Sequence, residues 1–348
     1  MSLAKRHKSD NGTHSSLIHS SKFTTEHDSN ESGRILYSPA VVLEGHTGGP
    51  VFSTKFSHDG TKIASSGMDK SILLWNLPSS QHDEQPNYAC LTGHKGAVVC
   101  ANWTHDNSII VSASADSSVG FWDTTTGNRV RKCTGHEAGS VVNEVDTSCD
   151  DIAMSVGDDG SVVFWDQRQR NPVDKIDTEL PLLTGKFSHS GTNFFISGIE
   201  SKILAYDVRV LDKVLWSSEG GGLVSGISSI GISPDDTMLV SRSLDGTVKT
   251  YNANQFVPEG VNRMNPYVYE GAPSGKENLL IRTCFSNDNI KIVSGSEDAT
   301  VTIWDLGTRR IVGKYAGHQG TVIDVAYHPS EPIMVSSSTD GSIIVREV

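Results

Sequence analysis

The sequence predicts an all-β fold, a seven-bladed β-propeller closed by an N-terminal strand, and three observations predict it. Gly-His pairs recur at Gly45-His46, Gly93-His94, Gly135-His136 and Gly317-His318. Trp-Asp or a close variant ends successive units at Trp75-Asn76, Trp122-Asp123, Trp165-Asp166, Tyr206-Asp207, Tyr251-Asn252 and Trp304-Asp305, with spacings of 47, 43, 41, 45 and 53 residues. A period of about 40 to 45 residues is that of propeller blades, each of which needs neighbours to bury its faces. An acid stands six residues before each of these Trp or Tyr residues, at Asp69, Asp116, Asp159, Glu200, Asp245 and Asp298. A seventh counterpart, Asp340, puts Arg346-Glu347 in the Trp-Asp slot and brings the count to seven.

Within the first unit, Val51 to Phe56, Lys62 to Ser66 and Ser71 to Trp75 read as three strands, separated by turn residues Asp59-Gly60 and Asp69-Lys70. Ala89 to Leu91 reads as a fourth strand leading into the next Gly-His. The seventh unit stops at Val348 after its third strand, and Ala40 to Leu43 is the strand left over. Pairing that segment into the last blade closes the ring and removes exposed edges. Residues 1–37, rich in Ser, His, Thr and Asn, have too few large apolar side chains to offset the entropy of ordering and are predicted to be a disordered tail preceding a propeller over 38–348. Its Lys5-Arg6-His7-Lys8 cluster reads as a solvated tail or as a weak nuclear-import signal.

Three sets of side chains recur at fixed offsets: His46, Ser65, Asp69 and Trp75; His94, Ser112, Asp116 and Trp122; His136, Ser155, Asp159 and Trp165. Over about residues 40–348 this pattern resembles the WD40-repeat family, in which such a tetrad forms a buried hydrogen-bonded chain. The chemistry suits burial, since an indole N–H needs an acceptor, a hydroxyl both accepts and donates, and an imidazole bridges to the turn carboxylate. Unit six keeps Ser294, Asp298 and Trp304 without a Gly-His, and unit seven keeps His318, Ser336 and Asp340 but ends in Arg346. Units four and five depart most, with Ile196 in the hydroxyl position, Glu200 for Asp, and Tyr206 and Tyr251 for Trp.

Composition and motif tests argue against other classes. Lys plus Arg number 29 and Asp plus Glu 41, for a net charge of −12, which disfavours sequence-independent binding to a phosphate backbone. Cys90, Cys100, Cys133, Cys149 and Cys284 are odd in number and lack any C-x-x-C pair, as reduced intracellular thiols would. No apolar run reaches the roughly 18 residues of a membrane helix. The Ser-His-Asp trio repeats in several units whereas a nucleophile is needed once, so no catalytic residue is assigned. Histidines that recur with the repeat do not converge on one metal. Gly271 to Gly275 before Lys276-Glu277 fails the phosphate-loop spacing, and Gly220-Gly221-Gly222 occupies the place of a Gly-His loop. No cofactor and no small-molecule substrate are expected.

Two regions are candidate partner sites. The residues before the turn acids should ring one face, and Met68, Ile199 and Leu244 would make part of that ring apolar. The longest spacing holds an insertion, Val257 to Gly275, with Arg263, Met264, Tyr267 and Tyr269, residue types that anchor interfaces. The stretches PAVVLEGH, KFSHDGTKIASSGMDKSILLWN, KENLLIR, TRRI and HPSEPIMVSSS are similar to the WD-repeat subunits of the U5 small nuclear ribonucleoprotein. That resemblance implies a nuclear, non-catalytic scaffold for pre-mRNA splicing, docked on the particle's large scaffold protein near its helicase and GTPase, with RNA reached indirectly through the complex. A second resemblance, Trp165-Asp166-Gln167-Arg168 with a weaker Tyr206-Asp207-Val208-Arg209, implies instead a substrate receptor of a cullin-type ubiquitin ligase.

Overall fold

The computed structural model describes residues 36, 39–78, 87–218, 225–257, 266–275 and 279–348. They form seven four-stranded antiparallel sheets, with no helix among the described residues. Strand β1 (Ala40–Leu43) precedes blade one, which is β2 (Val51–Phe56), β3 (Lys62–Gly67), β4 (Ser71–Asn76) and β5 (Asn87–Thr92). Blade two is β6 (Val98–Trp103) to β9 (Arg129–Thr134), with β7 (Ile109–Ser114) and β8 (Ser118–Asp123) between them. Blade three is β10 (Val142–Thr147), β11 (Ile152–Gly157), β12 (Ser161–Asp166) and β13 (Asp174–Asp177). Blade four is β14 (Leu182–Phe187), β15 (Asn193–Gly198), β16 (Leu204–Asp207) and β17 (Val210–Ser217). Blade five is β18 (Ile227–Ile232), β19 (Met238–Ser243), β20 (Val248–Asn252) and β21 (Tyr267–Tyr269). Blade six is β22 (Thr283–Phe285), β23 (Lys291–Gly295), β24 (Thr300–Asp305) and β25 (Ile311–Ala316). Blade seven has β26 (Val322–Tyr327), β27 (Ile333–Ser338) and β28 (Ile343–Glu347), and β1 completes it.

The expected ring closure is present. Ala40 pairs with Arg346, Val41 with Val345, Val42 with Ile344 and Leu43 with Ile343. The packed chain starts before β1, because Leu36 is buried with Val41, Ile333 and Val345 and its amide donates to Glu347 Oε1 at 3.0 Å. The rest of the sequence-predicted 1–37 tail lies outside the described residues.

The second and third strands of the blades are buried along almost their whole length, as in β7 and β8. A strand between two other blades is covered on both faces, so its apolar run is continuous rather than alternating. The core is accordingly seven apolar layers, one between each pair of neighbouring blades. The strand turns arise from local chemistry. Gly60, Asn107, Asp151, Gly191, Asp236 and Asn289 all sit at positive φ in the first turn of their blades, where Gly and Asn/Asp are tolerated. In blade one, Ser57 and Thr61 hydroxyls both donate to Asp59 and pin the turn.

Truncation tests the closure. Removing residues 1–35 should leave the thermal midpoint unchanged, and extending the cut through Leu36 should cost about 2 kcal/mol from one buried leucine. Removal through Leu43 should abolish the folded monomer, read by circular dichroism and gel filtration.

Candidate protein-interaction site

The turn acids and Gly-His loops share one rim. Met68, Ala115, Asp158, Ile199, Leu244, Glu297 and Thr339 each donate their amide to a carbonyl of the preceding loop, at Pro50, Ala97, Val141, Pro181, Gly226, Pro273 and Thr321 respectively. Six of these positions are structurally equivalent, each bonded to the residue just before the first strand of its blade, whereas in blade six the acceptor Pro273 lies well upstream of β22. Met68 is 51% and Ile199 43% exposed, whereas Leu244 is partly buried, turned towards Gly226.

Below the rim the three complete tetrads assemble. In blade one, Trp75 Nε1 donates to Ser65 Oγ at 2.8 Å, Ser65 Oγ meets His46 Nε2 at 2.8 Å, and His46 Nδ1 meets Asp69 at 3.0 Å. The same chain links Trp122, Ser112, His94 and Asp116, and Trp165, Ser155, His136 and Asp159. A carboxylate can only accept, so the Nδ1 facing it carries a proton, while the Ser Oγ accepts the indole N–H and meets Nε2. Burial lowers the pKa of His94 and His136, against the raising pull of their aspartates. Burial opposes ionisation of Asp159, but the Glu137 amide and the His136 contact hold it at about 2, and Asp69 and Asp116 are lowered further.

Two blades solve the same problem differently. In blade six Ser294 accepts from Arg242 Nη1, 3.1 Å away in blade five, while Trp304 Nε1 donates to the Glu270 carbonyl at 2.9 Å. Arg242, fully buried, stands where a Gly-His histidine would, a substitution that spacing could not reveal because the residue comes from another blade. In blade seven His318 meets Ser336 at 2.8 Å and Ser342 at 2.7 Å, and Arg346 replaces the indole by donating to the Ala316 carbonyl at 2.7 Å.

The insertion is less of a loop than its spacing suggests, since Tyr267–Tyr269 is the outer strand of blade five. Tyr267 is 51% exposed and the Arg309 guanidinium lies 3.4 Å from its ring centroid, beside the exposed Val268, Ile311 and Val312. Tyr269 departs from the expected contact role. It is buried against Trp304 with Phe285 and Ile292, because it points into the layer between blades five and six. Arg263 and Met264 lie outside the described residues.

The sequence pattern gives no sign of the centre of the ring. In each of six innermost strands the pairing slips after the first residue, skipping Phe52, Val99, Asn143, Leu183, Ser228 and Ile323. Such bulges leave a residue out of the ladder and re-aim the rest of the strand. The Arg282 guanidinium lies within 3.3–3.4 Å of the Phe52, Val99 and Asn143 carbonyls, and its amide donates to Ile323 O at 2.7 Å. It also joins Asp324 at 3.4 Å and Glu144 at 3.8 Å. Lys55 pairs with Asp324 at 2.9 Å, and Lys186 with Glu144 at 3.1 Å and Asp146 at 3.2 Å. Three cations and three anions from blades one, three, four, six and seven thus meet in the channel. Burial opposes charge on Asp324 and Glu144, yet the neighbouring cations, Lys55 first for Asp324 and Lys186 first for Glu144, keep both carboxyls lowered. A cavity of about 170 Å³ lined by Phe52, Val99, Leu279, Leu280 and Ile323 adjoins Arg282. The five cysteines are free, and no group of three metal-ligating side chains occurs among the described residues.

Removing the Arg282 charge takes one of two cations from each of Asp324 and Glu144 and the donor from the Phe52, Val99 and Asn143 carbonyls, so Arg282→Met should cost about 3–5 kcal/mol and lower the thermal midpoint clearly. Arg209→Met, which breaks an exposed pair with Asp207, should leave that midpoint unchanged. Acid should also loosen the ring. Below about pH 6.5 the unfolded chain protonates histidines that His94 and His136 keep neutral in the fold, and below about pH 4 it protonates carboxylates that Asp69, Asp116 and Asp159 keep ionised. In both cases the unfolded state binds more protons, so stability falls with pH. Midpoints measured from pH 7 downwards should decline in two stages, and Asp159→Asn should flatten the lower one.

The repeat family described as WD domain, G-beta repeat matches residues 37–76, 86–123, 127–166, 214–252, 274–305 and 309–346, leaving most of blade four unmatched. The chain is 33% identical over 318 residues to the U5 small nuclear ribonucleoprotein 40 kDa protein of Dictyostelium discoideum, covering 90% of this chain and 85% of that one. It is likewise 33% identical to the human protein of that name, with the same coverage. The pre-mRNA-splicing factor cwf17 of Schizosaccharomyces pombe aligns at 31% identity over 99% of this chain and 100% of its own. The tetrads, the closed ring of seven blades and these alignments agree that the chain belongs to the WD-repeat family, in the branch of the U5 40 kDa proteins.

Proposed function

We propose that this chain is a non-catalytic scaffold of a U5-type splicing particle in the nucleus, acting in pre-mRNA splicing by binding the particle's large scaffold protein, with its helicase and GTPase nearby and RNA reached through the complex. The observation that carries this reading is the extent of the similarity. It runs through nearly the whole chain to relatives in an amoeba, a fission yeast and human that are named for U5 or for pre-mRNA splicing. Fold alone would not support it, since propellers serve many functions.

The chemistry is consistent with binding rather than turnover. The repeated Ser, His and Asp side chains are engaged with Trp in holding blades together. The exposed apolar and aromatic side chains include two groups: Met68 and Ile199 with the edge of Leu244 on the rim, and Tyr267 under Arg309 beside Ile311 and Val312 on the flank of blades five and six. We assign partner contacts to both, and to Arg263 and Met264 of the same insertion. Aromatic residues and Arg are the side chains that dominate binding energy at protein interfaces.

Affinity purification of the tagged full chain from nuclear extract tests the reading. U5 RNA and large splicing proteins should dominate the recovered material, and Tyr267→Ala with Arg309→Ala should reduce the proteins and the RNA together. Recovery of neither, or of a cullin adaptor in their place, would overturn it.

A further inference from the structure

Blade four has lost all four tetrad residues, and the loss leaves space. In blade one the linker between β1 and β2 brings His46 down between Ser65, Gly67 and Asp69. In blade four the linker between β13 and β14 is only Thr178 to Pro181 and carries no histidine. The strand register is conserved, Ile196 facing Leu204 as Ser65 faces Leu73, so Ile196, Gly198 and Glu200 stand where Ser65, Gly67 and Asp69 stand in blade one. Tyr206 no longer seeks a hydroxyl and stacks on Phe194 with centroids 5.1 Å apart and planes 6° from parallel. Glu200, without an imidazole to draw it inward, lies half-exposed and pairs with Lys202 at 3.6 Å.

The result is a cavity of about 210 Å³ whose lining includes Leu180, Pro181, Leu182, Gly198 and Leu204. Its other lining residues include Glu179, Glu200 and Lys202, all at the surface. The wall hydroxyls are already used, Thr178 Oγ1 donating to Gly160 O at 2.6 Å and Ser197 Oγ to Lys202 O at 2.7 Å. An entering group therefore finds a mainly apolar lining and no unpaired hydroxyl. At the mouth two carboxylates face one ammonium, leaving a negative excess on an acidic protein.

We propose that this cavity is a receptor for one apolar side chain of leucine or phenylalanine size, carried on a partner segment with lysine or arginine on either side. The partner supplies from outside the plug that blades one, two and three supply with their own histidine. Apolar burial gives the affinity, and the carboxylates at the mouth select the flanking charge. The exposed Leu180 and Ile199 border the opening and extend the contact along the rim. Blade four is also where the repeat match lapses, as expected of a unit released from the tetrad pattern.

The inference rests on the reading of the chain as a protein-binding scaffold, but its test uses the isolated full chain. Fluorescence anisotropy with labelled pentapeptides GKFKG, GKSKG and GEFEG should show saturable binding of the first, with the other two weaker by about tenfold or more. The variant Glu179→Lys with Glu200→Lys should weaken GKFKG and strengthen GEFEG, a reversal that misfolding cannot mimic. Leu180→Ser should weaken GKFKG, while Val130→Ser on the outer strand of blade two should not. Absence of saturable binding, equal affinity for the three peptides, or indifference to the charge reversal would overturn the receptor. If U5 RNA is still recovered in the purification above, only the receptor falls and the scaffold reading stands.

Discussion

A propeller blade has two apolar faces and can bury them only if a neighbour stands on each side, so the structure depends on the ring being closed. Here closure is a single four-residue pairing, β1 against β28, reinforced by Leu36 in the same apolar layer and its amide bond to Glu347. If that seam opened, the layer between blades seven and one would lose the partner that Val41 and Leu43 bring, and a sheet edge would be exposed. Sequence separation between the two strands is nearly the whole chain, which makes the seam the most entropically costly contact to form.

Inside the ring a second constraint operates. Seven first strands converge on the central channel, and the bulges in six of them leave residues out of the ladder whose carbonyls need donors. Arg282 supplies several at once, and its planar fork suits that task better than an ammonium would. The charge it brings is balanced by Asp324 and Glu144, which in turn hold Lys55 and Lys186. A buried ionic cluster of this kind is weak evidence of net stability, since desolvation offsets much of the attraction. Its clearer consequence is geometric. Charges from five blades meet and pair at the centre of the ring.

These constraints divide the molecule between holding and presenting. Blades one, two and three spend their polar side chains on tetrads, and blades six and seven improvise with Arg242 and Arg346. Blade four does neither and is held by its neighbours through Phe164, Phe187, Phe194 and Tyr206. Relieved of internal duty, its rim can change without unfolding the ring, which is how loops on a rigid scaffold acquire function. The flank of blades five and six obeys the same logic, with Tyr269 buried as structure and Tyr267 two residues away left at the surface.

Repeat chemistry was legible from the sequence because it is local. The recurrence of Gly-His, turn acid and Trp-Asp defined the number of blades, the strands of the first unit and even β1 as the closing strand, since each rests on residues within one period or on a strand left without a partner. The equivalence of Met68, Ile199 and Leu244 on one rim was legible for the same reason. Features that depend on which blades face each other were not. Arg242 serving a neighbour's serine, Arg282 gathering carbonyls from three other blades, the burial of Tyr269 and the cavity left by a missing histidine arise across distances that no spacing encodes. The sequence determined a closed ring of seven blades; only the packing of those blades decided where charge is buried and where a surface is left open, because burial is a property of neighbours and not of the chain.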